Sequence, residues 1–266
     1  MNNKILTDTN HPLSGKYEQG IPIAERYSID IALELLFRPE YEAFRFAIFP
    51  DTLSKVEFAK TLFQGILVTD IATPERNKLS IERYEISKDE HGSYETRLCP
   101  LSQCLGDIFD GMGLEDNVMK ELPTEFVITH QGLQTCVRNE HLMLLSDVGH
   151  LVQGWENFLK WNYRLYKEVY ECSKKGLGDD PRAGWFQGQI RFINNYILPL
   201  AKRSQVYFSS KFADALVSNG IANCNLWTEY GDEATAIMAQ AAENDEAECD
   251  VLARLYGLPC RGQREA

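Results

Sequence analysis

The chain carries no Cys-x-x-Cys pair and no His-x3-His pair, and it has a deficit of basic residues. Seven cysteines (Cys99, Cys104, Cys136, Cys172, Cys224, Cys249 and Cys260) are an odd number, which argues against a disulfide framework. Reduced, mostly structural thiols of a cytosolic protein are the expectation. Cys99 and Cys104 have no second Cys/His pair at suitable spacing, which argues against a zinc knuckle. The N-terminal MNNKILTDTNHPLSG has neither a basic region nor an apolar run, and no segment reaches about 18 uncharged apolar residues. A soluble, cytoplasmic chain without a membrane span is therefore expected. Lys and Arg number 27 against 39 Asp and Glu, a formal charge of −12, so a broad phosphate-binding surface, and with it nucleic acid as a partner, is disfavoured. An acidic protein that handles an anionic small ligand needs local cations to offset its own field, and bound metal ions supply them. No internal repeat, low-complexity tract or convincing alternating strand appears. What remains is helix-period patterning over 266 residues, enough for one large domain or two small ones, and an all-α fold of many packed helices is the reading.

The pattern is clearest from Asn139 to Lys175. Apolar residues recur at helical spacing through Leu145, Val148, Leu151/Val152, Trp155, Phe158/Leu159, Leu165/Tyr166 and Val169, which predicts one long amphipathic helix or two joined near Gly149 or Gly154. Asp147 interrupts a run, Leu142–Val148, that is otherwise almost free of charge. A carboxylate there is solvent-facing, paired or bound to a cation, because an unpaired buried charge is too costly.

Elsewhere, residues 1–22 read as an irregular lead-in rich in turn formers. A helix is expected over 24–37, with Glu25 in its first turn, where the helix dipole alone favours a carboxylate. Asp51-Thr52 should cap a helix running to about Ala72 and place Asp70 on its apolar stripe, buried and hydrogen-bonded. Residues 75–138 are broken by Gly, Pro and charge, and read as a surface insertion with brief helices near 101–110 and 115–121. A helix from about Pro181 to Lys202 puts Gln189 inside an aromatic stripe that includes Trp185, Phe186, Phe192 and Tyr196, with Pro199 as a late kink. An amide in that position must find partners for its carbonyl and NH₂. A short helix over 208–219, a longer acidic one over 224–256 and a frayed tail complete the chain.

Four stretches, in order, carry a family resemblance: I-A-E-R-Y-S-I-D-I-A-L-E-L-L (Ile23–Leu36), I-L-V-T-D-I-A (Ile66–Ala72), S-D-V-G-H (Ser146–His150) followed by Trp155 and Trp161, and W-F-Q-G-Q-I-R-F-I-N-N-Y-I-L-P-L-A (Trp185–Ala201). Together they resemble the class I cyclic-nucleotide phosphodiesterase catalytic domain of the HD superfamily, in its unicellular-eukaryote branch, over its later part only. The resemblance implies an all-α domain lacking the first helices, divided here as residues 1–22, 23–240 with the variable insertion, and 241–266. It implies hydrolysis of cAMP or cGMP to 5′-nucleotides in signal transduction, with divalent metal ions (Zn with Mg or Mn) as cofactors.

Residue by residue, the resemblance makes Asp147 a metal ligand and Gln189 the group that reads the purine edge. Phe192 would stack on the ring, Leu165 would close the other side, and His150 would have a pocket role. T-D-T-N-H-P (Thr7–Pro12) occupies the place of a metal-binding H-D-x-D-H-P, so that Asp8 (metal) and His11 (catalytic) match while Thr7 and Asn10 do not. Glu25 would steady the catalytic histidine, and Asp70 would belong to the active-site wall. The family's upstream H-N-x-x-H motif has no counterpart, which leaves two readings: a truncated piece of an active enzyme, favoured by the start at Met1, or a degenerate, non-catalytic nucleotide-binding homologue. A helical scaffold in which Asp70, Asp147 and Gln189 are ordinary polar residues is the third. The expected partners are a cyclic nucleotide and, as a candidate, a second copy of the chain.

Overall fold

The computed structural model describes residues 3–17, 22–51, 54–55, 58, 61–62, 65–66, 68–70, 74–88 and 130–258. Every regular element among them is helical and none is a strand, so the fold is all-α. No helix among the described residues is long and apolar enough to cross a membrane. The chain forms two compact units, Met1–Leu144 and Leu145–Ala266.

The first unit opens with α1 (Asn3–Asp8) and a 3-10 turn at Pro12–Gly15, which corrects the expectation of an irregular lead-in. Ile5 and Leu6 are buried, and α1 packs against α2 (Ile23–Leu36). Asn3 joins them: its amide donates to Glu25 Oε2 at 2.8 Å while its carbonyl oxygen accepts from the Ala24 N–H at 2.8 Å, satisfying one free donor at the start of α2. Two side-chain bonds therefore compensate for a weak local helix signal. Ile29 and Leu33 bury the inner stripe of α2, and a turn at Pro39–Tyr41 leads into α3 (Glu42–Ile48).

The expected cap at Asp51 is present, its carboxylate accepting from the Ser54 N–H at 2.8 Å, and the described positions between 54 and 66 are helical. The helix ends before Val68. The Thr69 N–H and hydroxyl both donate to the Ile66 carbonyl, at 3.2 and 2.7 Å, closing a turn that leaves Asp70 outside the helix. A second correction concerns the expected insertion: α4 (Pro74–Ser87) and the start of α5 (His130–Asp147) are regular helices within it. Arg83 on α4 pairs with buried Glu140 on α5 at 3.0 Å, an anchor that apolar periodicity does not reveal. The brief helices expected at 101–110 and 115–121 lie outside the described residues.

In the second unit, α5 ends at Asp147, a 3-10 turn spans Gly149–Val152, and α6 (Trp155–Lys174) follows. The expected join between two helices thus falls on the two glycines. A turn at Pro181–Ala183 leads to α7 (Trp185–Phe192), a π-turn (Ile193–Ile197), α8 (Leu198–Arg203), α9 (Ser210–Glu243) and α10 (Glu248–Tyr256). The two C-terminal helices break at 244–247, where Asp245 has φ 49°, and not at 220–223 as expected. Glycine in mid-helix costs about 1 kcal/mol relative to alanine. Gly220 and Gly231 offset this by close packing: a Cβ would lie 2.9 Å from Leu198 Cδ2 at the first, and 2.8 Å from Phe186 and Trp227 ring atoms at the second. Trp227 is the centre of the core, fully buried, edge-on to Phe158 at 5.5 Å, with its indole N–H donating to the Phe186 carbonyl at 3.0 Å.

Candidate functional site

Asp147 is the last residue of α5, followed by buried Val148. The Asp147 side chain makes no hydrogen bond or ion pair among the described residues. Although the residue is exposed, partial desolvation pushes its carboxyl above the ordinary 3.8. A carboxylate so placed is one that a cation or a proton donor would stabilise.

His150 rides on the Gly149–Val152 turn, half-buried, its ring 5.9 Å from that of Trp161 on α6. Burial lowers its basicity below the ordinary 6.5, so the imidazole is neutral at pH 7, with one donor and one acceptor nitrogen. Leu165 lies one helical turn beyond Trp161, and both are exposed, 48% and 45%. Here the structure departs from the stripe predicted for α6, which buries Phe158, Leu159, Asn162, Tyr163, Tyr166 and Tyr170 and leaves Leu165 facing out. The pair is an exposed apolar wall beside a histidine, with the Arg164 guanidinium over the Trp161 ring at 5.0 Å.

The helix that carries Gln189 is fixed at its start. The Trp185 indole N–H donates to buried Asn162 Oδ1 at 2.7 Å, and its ring meets Tyr166 edge-on at 5.1 Å. The next residue, Phe186, takes the Trp227 bond on its carbonyl. Gln189, one turn further on, is half-buried, and its side-chain amide makes no hydrogen bond among the described residues. A structural core glutamine would bond to backbone, and this one does not.

Phe192 follows, its ring stacked on Tyr196 at 5.4 Å and 6° from parallel. The helix then widens: the Leu198 N–H donates to the Ile193 carbonyl, a five-residue step. Pro199 accounts for the change, since it lacks an N–H and its ring disfavours the carbonyl four residues back. The expected late kink is thus a π-turn. The Tyr196 hydroxyl is buried without a partner, and burial pushes it up to about 12, with Arg203 opposing and Asp147 reinforcing the shift. The π-turn packs against the Gly149–Val152 turn, so the Phe192–Tyr196 segment and the Asp147–His150 segment are neighbours within this unit.

The remaining sequence-predicted residues belong to the first unit. Asp8 ends α1, exposed and without a hydrogen bond among the described residues. His11 caps the following turn, its Nδ1 accepting from the Leu13 N–H at 3.3 Å. Glu25 is held by Asn3. Thr7, in the place of a family histidine, donates its hydroxyl to the Asn3 carbonyl at 3.0 Å, and Asn10 adopts φ 48°. Asp70 is buried, as expected, and is not without an interaction. Among the described residues, no three His, Cys, Asp or Glu side chains gather around one point.

Sequence reasoning missed Tyr196 as the support of Phe192, and it missed the bonds that Asn219 and Asn223 donate to the carbonyls of residues 151–153. The first was readable from i, i+4 spacing; the asparagines sit in a helix whose continuity the sequence hid.

Comparison with curated proteins and with solved structures finds no match. A family profile described as 3′5′-cyclic nucleotide phosphodiesterase matches residues 1–218, most of the chain and all four stretches noted above. With that span matched, the chain belongs to the 3′5′-cyclic nucleotide phosphodiesterase family.

Proposed function

We propose that this chain binds a 3′,5′-cyclic nucleotide, cAMP or cGMP, on the Gln189–Phe192 side of its C-terminal unit and acts in cyclic-nucleotide signalling as a phosphodiesterase that yields the 5′-nucleotide. The observation that supports this is Gln189, a half-buried amide with no protein partner beside the Phe192 ring. Its carbonyl and NH₂ suit the donor and acceptor edge of a purine, and rotation of the amide accommodates adenine or guanine. Phe192, backed by Tyr196, offers a rigid ring for stacking. Trp161 and Leu165 supply apolar area, and neutral His150 supplies one donor and one acceptor.

Hydrolysis is proposed as metal-dependent, with Zn and Mg or Mn as the ions. These would supply hydroxide near neutral pH and neutralise the phosphate. Asp147 is one carboxylate donor; Asp8 is the second proposed ligand, and His11, Glu25 and Asp70 are proposed for catalysis. A cytoplasmic protein, with a second copy of itself as a candidate partner, completes the reading. A non-catalytic, nucleotide-binding homologue is the second reading, favoured by Thr7 and Asn10 where the family has metal ligands and by the engagement of the Thr7 hydroxyl with Asn3.

The test is hydrolysis of cAMP and cGMP by the purified chain with Mg²⁺ or Mn²⁺, alongside calorimetric binding and with Asp147→Ala as control. Turnover that disappears in the variant supports the enzyme; binding without turnover supports the second reading; neither binding nor turnover sinks both.

A further inference from the structure

The Gly149–Val152 turn cannot satisfy its own last carbonyls. A helical turn leaves its final C=O groups without partners, and Gln153, which ends this one, is extended at φ −97° and ψ −172°. Glycines at 149 and 154 flank it, and glycine adds conformational freedom. Buried Leu151 and Val152 anchor the turn by packing, but its last carbonyls need donors from elsewhere.

Its carbonyls are taken from α9. Asn223 Nδ2 donates to the Leu151 carbonyl at 3.0 Å and to the Gln153 carbonyl at 2.8 Å, and Asn219 Nδ2 donates to the Val152 carbonyl at 3.0 Å. Three consecutive carbonyls are thus held by two amides spaced four residues apart on one helix face. Asn223 is 2% exposed and its bond to Leu151 is buried, whereas Asn219 is exposed. Gly220, between them, allows the approach: a Cβ there would lie 3.5 Å from Val152 Cγ1 and 2.9 Å from Leu198 Cδ2. The Leu198 contact joins the same latch to the helix that follows the Ile193–Ile197 π-turn.

We propose that Asn223, assisted by Asn219, is a positioning residue for the nucleotide site: it fixes the turn that carries His150 and follows Asp147, and holds it against the π-turn behind Phe192. The proposal rests on the nucleotide-binding reading of the preceding section. Both asparagines lie on α9, so the latch is a contribution of that helix. It acts through the turn and touches no ligand itself.

The experiment uses the full chain and two variants. Asn223→Asp keeps the shape but replaces both donated protons with a carboxylate facing two carbonyl oxygens; Asn219→Ala removes one bond from an exposed position and serves if the first does not fold. Affinity for cAMP and cGMP is measured by calorimetry, and the backbone amides of 149–154 are followed by hydrogen exchange. The expected result is binding weakened about tenfold, as for loss of an orienting outer partner, with faster exchange confined to 149–154 while α6 and α9 stay protected. Wild-type binding matched by the folded variants overturns the proposal and leaves the site reading intact, as does exchange that rises only in step with global stability. Wild-type protein that takes neither nucleotide overturns the site reading and this proposal together.

Discussion

The Phe192 ring lies 5.4 Å from that of Tyr196 and within 6° of parallel, and the Tyr196 hydroxyl, buried beyond it, has no partner. The two parts of this tyrosine therefore do different things. Its ring supports Phe192, while its oxygen is an unsatisfied polar group. Tyr196→Phe should leave nucleotide affinity unchanged and raise stability by about 1 kcal/mol, since an unsatisfied buried hydroxyl is removed. Tyr196→Ala should weaken binding by a factor of about 2 to 12, because an aromatic pair contributes about 0.5–1.5 kcal/mol beyond its buried area. Calorimetric titration with thermal melts checks both, and weaker binding by the phenylalanine variant would count against the division of roles.

Gln189 presents the reverse case, a polar group that contributes nothing visible to folding. Because its amide makes no hydrogen bond among the described residues, Gln189→Ala should change stability by no more than about 0.5 kcal/mol. Loss of two ligand hydrogen bonds should weaken cAMP or cGMP binding about ten- to hundredfold. A variant that melts several degrees lower while binding normally would show Gln189 to be a structural residue.

Much of this was readable in the residues, and the failures have physical causes. The long amphipathic pattern around Trp155–Val169 announced α6, and the charge at Asp147 and amide at Gln189 stood out because they broke apolar runs. What periodicity could not show was tertiary compensation. Asn3 makes a helix of a lead-in that reads as loop; Arg83 and Glu140 join α4 to α5 through an ion pair; Gly220 and Gly231 look like breaks but are close-packing points inside α9. Spacing puts both Leu165 and Tyr166 on the buried stripe, and of the two α6 buries only Tyr166. In each case long-range contact overrode a local signal.

His150 should leave a signature in the pH dependence of stability. Burial lowers its folded-state pKa below the unfolded 6.5, so between those two values the unfolded chain binds more protons. Stability from this residue is therefore full above about pH 6.5 and is lost as pH falls through 6.5 toward the folded value. His150→Asn, which cannot take up that proton, should show a shallower fall in Tm between about pH 7.5 and 5.5. Parallel Tm profiles for the two proteins would mean that the imidazole is not desolvated in solution.

Asp147 carries the opposite sign. A carboxylate whose folded pKa is raised by desolvation destabilises the fold once it ionises, so this penalty grows as pH rises above 3.8 and is complete above the folded value. No protein group offsets it among the described residues. Asp147→Asn should therefore melt no lower than wild type at pH 7, because it removes the charge and keeps the shape. The same variant should show no turnover of cAMP or cGMP, and any rise in Tm that Mn²⁺ or Mg²⁺ gives the wild type should shrink in it, since a ligand stabilises only the state that binds it. Differential scanning fluorimetry with and without each ion reads the stability arm independently of activity. A variant that is clearly less stable without metal would make Asp147 an ordinary helix-end residue with a partner in solution.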